Sequence, residues 1–173
     1  KVTKGDIKPD QARMIAQLAN DFASDDMRIT MNQGMLLKYV RKEALPKVYS
    51  VLDSMGFANP GFGTIADITT CPGTDTCNLG VTNSMLLAEI LEQVIQKEYY
   101  DLIFDKAISI KMSGCMNSCG QHMSADIGLH GSSIRVGDKV APAMQICLGG
   151  GVDNNGVGMA GDKVVKLPTK KMP

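Results

Sequence analysis

Residues 113–122 read SGCMNSCGQH: two cysteines four positions apart, Cys115 and Cys119, in a run of small and polar residues flanked by Gly114 and Gly120. A second pair stands upstream in CPGTDTC, where Cys71 and Cys77 have five residues between them against three in the later pair. Each pair follows a strand-like run, TIADITT before Cys71 and AISIKMSG before Cys115, and opens into glycine. Both pairs therefore leave a strand for a turn, which lets four thiols converge at one end of a sheet. Four thiolates around one centre mean zinc or an iron–sulfur cluster. Structural zinc sites usually space paired cysteines by about two to four residues, because both grip one small ion. A five-residue gap reaches around something larger and favours a 4Fe–4S cube. Pro72, Gly73, Gly80, Gly114 and Gly120 stand beside the thiols. The glycines allow close backbone approach and leave N–H groups that can bond cluster sulfides.

The bulk composition is compatible with such a centre and excludes several other classes. The 173 residues suit one domain or two small lobes, and 44% hydrophobic residues are enough for a core. Eighteen basic residues against eighteen acidic ones leave no nucleic-acid footprint and no polybasic membrane patch. Tryptophan is absent and aromatic residues are few, so base-stacking platforms are missing. No apolar run reaches the roughly 18 residues that span a bilayer, and no secretory signal opens the chain. Five cysteines suit no closed disulfide framework. They point to metal or redox use in a reducing compartment, here the cytoplasm. The opening KVT and the charged close KLPTKKMP lead us to expect a piece of a longer protein.

Periodicity supplies the frame. KVT reads as an entering strand, and KPDQARMIAQLANDFA as a helix with Ile15, Leu18, Ala19 and Phe22 on one face. MRIT, the turn NQG and MLLKYV form a strand–turn–strand. EALPKVYSVLDSMG predicts a second helix with Val48, Val51 and Leu52 inward and Gly56 as its stop. These elements make a small α+β lobe, bounded by NPGFG. The second lobe carries the longest helix, NSMLLAEILEQVIQKEYYDL. Its buried stripe is Leu86, Leu87, Ile90, Leu91, Val94 and Ile95, and Ser84 is the expected cap. SADIGLHGSS and AMQICLGGG are two further short strands, and no closing element follows them. Cys147, in the latter, reads as a core thiol, and the twelve methionines as core filling. His122 and His130 are each lone, and four thiols already close a cluster, so both read as polar support or surface groups.

With these residues in view, the chain resembles the sulfite and nitrite reductase haemoproteins. TTCPGTDTCNLGVTNS followed by IKMSGCMNSCGQHMSADIGLHGSS is similar to the family's paired C-x5-C and C-x3-C motif. DMRITMNQGMLLKYV resembles the strand–turn–strand of its ferredoxin-like half-domain, and CLGGGVDNNGVG the glycine-rich strand after the cluster. The resemblance runs from about Gly5 to Lys166. It implies an α+β fold: a ferredoxin-like half-domain over residues 1–60, then an α/β sirohaem- and 4Fe–4S-binding lobe with a mixed sheet over 61–173.

Carried over by position, the resemblance makes Cys71, Cys77 and Cys115 cluster ligands, while Cys119 also ligates the sirohaem iron. Asn117 matches an asparagine near the cofactor, and Gln121 and the GLHG turn stand behind the ligands. The implied activity is the six-electron reduction of sulfite to sulfide or nitrite to ammonia, with electrons passing from cluster to sirohaem through the Cys119 thiolate. The implied partners are an electron donor, ferredoxin or a flavoprotein, and a small inorganic anion. The family builds its site from two related halves, and the substrate-facing cations come mostly from the first. This chain matches the second half, so an N-terminal half is a further expected partner. Among its four arginines, Arg28 in MRITMNQ is the candidate for a cofactor carboxylate or anion, or else a residue pinning the strand–turn–strand. A stand-alone cluster module for electron transfer, without sirohaem, and a structural zinc domain are the alternatives.

Overall fold

The computed structural model describes residues 1–104 and 108–173. It divides into two compact units, Lys1–Phe62 and Gly63–Pro173.

In the first unit the chain enters not as a strand but as a 3-10 turn, Thr3–Gly5. Lys4 and Gly5 both take positive φ, 58° and 72°, which no extended run accommodates. Helix α1 (Pro9–Phe22) follows, with proline in its first turn and Ile15, Leu18 and Ala19 buried. The Lys8 N–H donates to Gln11 Oε1 (2.9 Å), satisfying a donor at the helix entry. Strands β1 (Met27–Ile29) and β2 (Met35–Leu37) pair antiparallel, Arg28 opposite Leu36. The second strand is shorter than MLLKYV, because Tyr39 turns to a φ of 60°. Helix α2 (Leu45–Ser54) buries Val48, leaves Val51 and Leu52 half-buried, and ends at Gly56, φ 79°.

The second unit is built on a five-stranded sheet in the order β3 (Thr69–Thr70), β4 (Ile110–Ser113), β5 (Ile127–Val136), β6 (Lys139–Leu148), β9 (Asp162–Pro168). The first three strands run parallel, and β5, β6 and β9 antiparallel, so the sheet is mixed. A separate two-stranded ladder joins β7 (Gly151–Val152) to β8 (Gly158–Met159). Helix α3 (Ser84–Glu98) packs Leu87, Ala88 and Ile95 onto one sheet face, against Ile110, Met112, Leu129 and Met144.

Four details of the sequence reading change. The cap of α3 is Asn83, whose Oδ1 accepts the Leu86 N–H (2.9 Å), while the Ser84 hydroxyl donates instead to the Cys71 carbonyl (2.8 Å). Leu86 is 53% exposed and lies outside the buried stripe. Past Glu98 the chain tightens to a 3-10 turn over Tyr100–Phe104. The close of the chain does hold an element, since β9 completes the sheet edge. AISIKMSG begins at Ala107, which lies outside the described residues, and its described strand starts at Ile110. Met112 and Met144 are fully buried and fill the core, whereas Met31 and Met116 lie in the open.

Candidate metal centre

Parallel pairing brings the two cysteine loops to the same sheet end. Thr70 stands opposite Met112, and the Cys71 N–H donates to the Met112 carbonyl (3.2 Å), so Cys71 leaves β3 beside the point where Ser113 ends β4. The loop after β3 turns through a 3-10 segment, Gly73–Asp75. The Cys77 N–H then reaches the Gly73 carbonyl (3.0 Å), and the Gly80 N–H the Cys77 carbonyl (3.0 Å). The loop after β4 meets it through one residue. Gly114 N–H donates to Cys71 Sγ (3.0 Å), and its carbonyl accepts from the N–H groups of Val81 (2.8 Å) and Thr82 (3.1 Å).

At Gly114 there is no room between the loops for a side chain: a Cβ there would stand 2.4 Å from the Gly73 Cα. Within the first loop the turn is as tight, since a Cβ on Gly80 would stand 2.7 Å from the Gly73 carbonyl carbon. The glycines beside the thiols therefore serve first to let one cysteine loop seat against the other. Thr82 ties the same junction to the core, its hydroxyl donating to Met144 Sδ (3.2 Å).

The four thiols differ in environment. Cys71 is buried, Cys77 and Cys115 are half-buried, and Cys119 is exposed. Asn117, two residues earlier in the chain, is exposed as well. Among the described residues, no group of three or more His, Cys, Asp or Glu side chains lies close enough to hold a single metal ion. Cys147 is fully buried in β6; burial pushes its thiol up, and the charge of Lys163 acts against that.

On the sheet face opposite α3, Lys111 donates to Gln121 Oε1 (2.8 Å), and burial lowers the lysine's pKa. Ser113 Oγ accepts the Gly120 N–H (3.0 Å) and lies 2.9 Å from His122 Nδ1. The GLHG segment is not a turn: it lies within β5, where Gly128 must be glycine because a Cβ would come within 1.9 Å of the His122 carbonyl oxygen. His130 Nδ1 lies 3.1 Å from the Gly131 carbonyl oxygen, and the two imidazoles lie 4.7 Å apart. Ser113 and Thr82 have no signal of their own in the sequence; the register of β4 identifies the first, and the close approach of Gly114 and Met144 the second.

Arg28 lies in the first unit, on β1. Its Nε donates to Asp26 Oδ1 (3.3 Å), and Lys38 reaches the other carboxylate oxygen (3.2 Å). The Lys38 hydrogen bond, with Arg28 adding to it, holds the Asp26 carboxyl below its usual range. Among the described residues, no helix is long and apolar enough to cross a membrane.

Two parallel strands of a mixed sheet, ending in interlocked, thiol-bearing loops and covered on one face by a long helix, define the class of domain. Residues 62–173 match the nitrite and sulphite reductase 4Fe-4S domain, and residues 1–55 the nitrite/sulfite reductase ferredoxin-like half domain. The chain belongs to the nitrite and sulfite reductase family. It is 28% identical over 138 residues to a ferredoxin–nitrite reductase of Synechococcus elongatus, covering 80% of this chain and 26% of the relative. To a sulfite reductase [ferredoxin] of Mycolicibacterium paratuberculosis it is 27% identical over 139 residues, 79% of this chain and 25% of the relative. The chain thus spans about a quarter of the length of these curated relatives. The NirA protein of Mycobacterium tuberculosis shares its fold with a TM-score of 0.82 at 23% identity, over 96% of this chain and 31% of NirA. A dissimilatory sulfite reductase, DsrI, does so with a TM-score of 0.71 at 11% identity, over 94% of this chain and 55% of that one.

Proposed function

We propose that this chain is the cluster- and sirohaem-bearing half of a reductase acting on a small oxyanion, sulfite or nitrite. The observation that carries this reading is the seating of one cysteine loop in the other at the ends of β3 and β4, in a chain of this family. Cys71, Cys77, Cys115 and Cys119 hold a 4Fe–4S cluster. The donor set fits that group: four thiols on two loops that leave the same end of the sheet. The Gly114 N–H on Cys71 Sγ is the kind of donor that tempers charge on a ligating sulfur. Cys119 is the exposed member of the four, so its sulfur is the one open to a second iron, and we assign it the sirohaem bridge.

When bound, the coupled cofactors supply one-electron steps and an electron-rich iron for breaking S–O or N–O bonds. The chain's own residues do the positioning. The interlocked glycines fix the spacing of the loops, and burial shields Cys71 from water. Asn117, exposed between Cys115 and Cys119 in the chain, is assigned to the cofactor side. Arg28 keeps a largely exposed guanidinium beyond its contact with Asp26, and is our candidate for a carboxylate or anion contact. Cations facing the substrate come from the rest of the protein. Ferredoxin is the favoured donor, since relatives bear that name, and the cytoplasm is the proposed location.

The test is the anaerobic visible spectrum of the full-length protein, produced with a supply of sirohaem, beside its Cys119→Ser variant. Sirohaem bands in the parent and their loss in the variant are expected. Iron–sulfur colour without sirohaem bands in the parent would leave a stand-alone electron-transfer module.

A further inference from the structure

The stretch SGCMNSCGQH begins with a serine and ends with a histidine, and the fold joins the two. Ser113 closes β4 with no exposed surface, and His122 is 1% exposed. We propose that Ser113 and His122 are positioning residues for Cys119, a clasp that closes the cysteine loop at its base. It runs from the Gly120 N–H to the Ser113 hydroxyl and on to a bare His122 Nδ1. The inference rests on the cluster reading only for what Cys119 is used for; the clasp itself belongs to the chain.

The Ser113 oxygen accepts the Gly120 N–H (3.0 Å), and Gly120 directly follows Cys119. The hydroxyl has one proton to give, and in a site closed to water that proton needs an acceptor. Among the described residues His122 Nδ1, at 2.9 Å, is the acceptor beside it, so the ring carries its proton on Nε2. Burial, with His130 and Lys163 acting in the same direction, pushes the His122 pKa down to about 4 and keeps the imidazole neutral. The backbone between is also pressed onto β4, since a Cβ on Gly120 would fall 1.8 Å from the Met112 carbonyl oxygen. Gln121 completes the return in the left-handed region at φ 60°, its N–H on the Ser118 carbonyl (2.8 Å). The loop carrying both cysteines is thus tied where it leaves the sheet and where it comes back.

Amide hydrogen exchange of Gly120 tests the clasp in the whole chain, with the Cys71 amide of the neighbouring ladder as internal control. Ser113→Ala, which leaves the buried Gly120 N–H unpaired, and His122→Leu, which leaves the Ser113 hydroxyl proton without its acceptor and so frees the oxygen to turn away from Gly120, should each speed Gly120 exchange by about tenfold or more, with Cys71 unchanged. His122→Asn puts an amide oxygen near the place of Nδ1 and should restore protection. After loading with iron and sulfide, the first two variants should lose iron to a chelator about tenfold faster than the parent or the Asn variant. Unchanged Gly120 exchange, or an Asn variant behaving like the Leu one, would overturn the proposal. If the variants fail to fold, the nitrogen–proton NMR spectrum of His122 in the parent decides: a proton on Nδ1 overturns the clasp, and one on Nε2 supports it. A parent chain that takes up no iron would sink the cluster reading, while Gly120 exchange still settles the clasp.

Discussion

The loop that follows β3 and the loop that follows β4 each carry a pair of thiols and are held by different means. The first, from Cys71 to Thr82, is fixed by backbone. Glycines meet glycines with no space for a methyl group, main-chain N–H groups meet main-chain carbonyls, and Cys71 is sealed inside. The second, from Gly114 to Gln121, is seated on the first at Gly114, but its far end is held by side chains: Ser113 with His122, and Lys111 with Gln121. Its last thiol is open. A loop fixed by backbone admits no side chain at its glycine contacts and has one geometry. A loop held by side chains can be loosened one hydrogen bond at a time, which suits the thiol we assign to two irons.

Substitutions separate the two modes. The largest effect is expected at the junction. Gly114→Ala drives a methyl group against the Gly73 Cα and should cost about 3 kcal/mol or more in urea unfolding. Gly137→Ala meets nothing within 4 Å, and its φ of 61° alone should cost about 1 kcal/mol. If the two cost the same, the interlocking is not what fixes the first loop.

Next comes the pH dependence of the second loop. The unfolded His122 imidazole takes its proton near pH 6.5 and the folded one near pH 4, so the unfolded chain binds more protons in that window. Stability should therefore fall as pH drops from about 7 to 4, by about 3 kcal/mol from this residue, and level off below. The difference between the parent and His122→Asn, taken at each pH, isolates that contribution; a flat difference would show that the ring is not held neutral. A smaller change is expected for Thr82→Val, which removes the hydroxyl bond to Met144 Sδ and should cost about 1 kcal/mol in thermal unfolding. The smallest is Arg28→Ala: its side chain is largely exposed and Asp26 keeps Lys38, so the unfolding midpoint should stay where it is. A large loss there would make Arg28 a pin of the hairpin rather than a contact held ready for an anion.

Much of this arrangement was legible in the sequence, and its limits have physical causes. The spacing of Ile15, Leu18 and Ala19, and of Leu87, Leu91 and Ile95, identified α1 and α3, because one-sided burial leaves a period in the residues. The cap of α3 was misplaced by one residue, since Asn83 and Ser84 are both good caps and the choice turns on Ser84 reaching the Cys71 carbonyl. Strand β9 left no alternation to read: Val164 and Val165 are adjacent, and both are exposed at the sheet edge. Strands β5 and β6 were read short because their hairpin tip runs into solvent, with Val136 and Val140 exposed. The cysteines announced themselves through spacing and flanking glycines. The clasp did not, because Ser113 and His122 become neighbours only once the loop between them has closed.

The most direct test of the central claim is an assay of iron and acid-labile sulfide on the anaerobically purified full-length protein, beside variants with Cys71 or Cys115 changed to Ser. About four cluster irons with a matching amount of sulfide are expected, as a four-thiolate cubane requires, and their loss in both variants. One zinc per chain, with no iron and no sulfide, would contradict the claim.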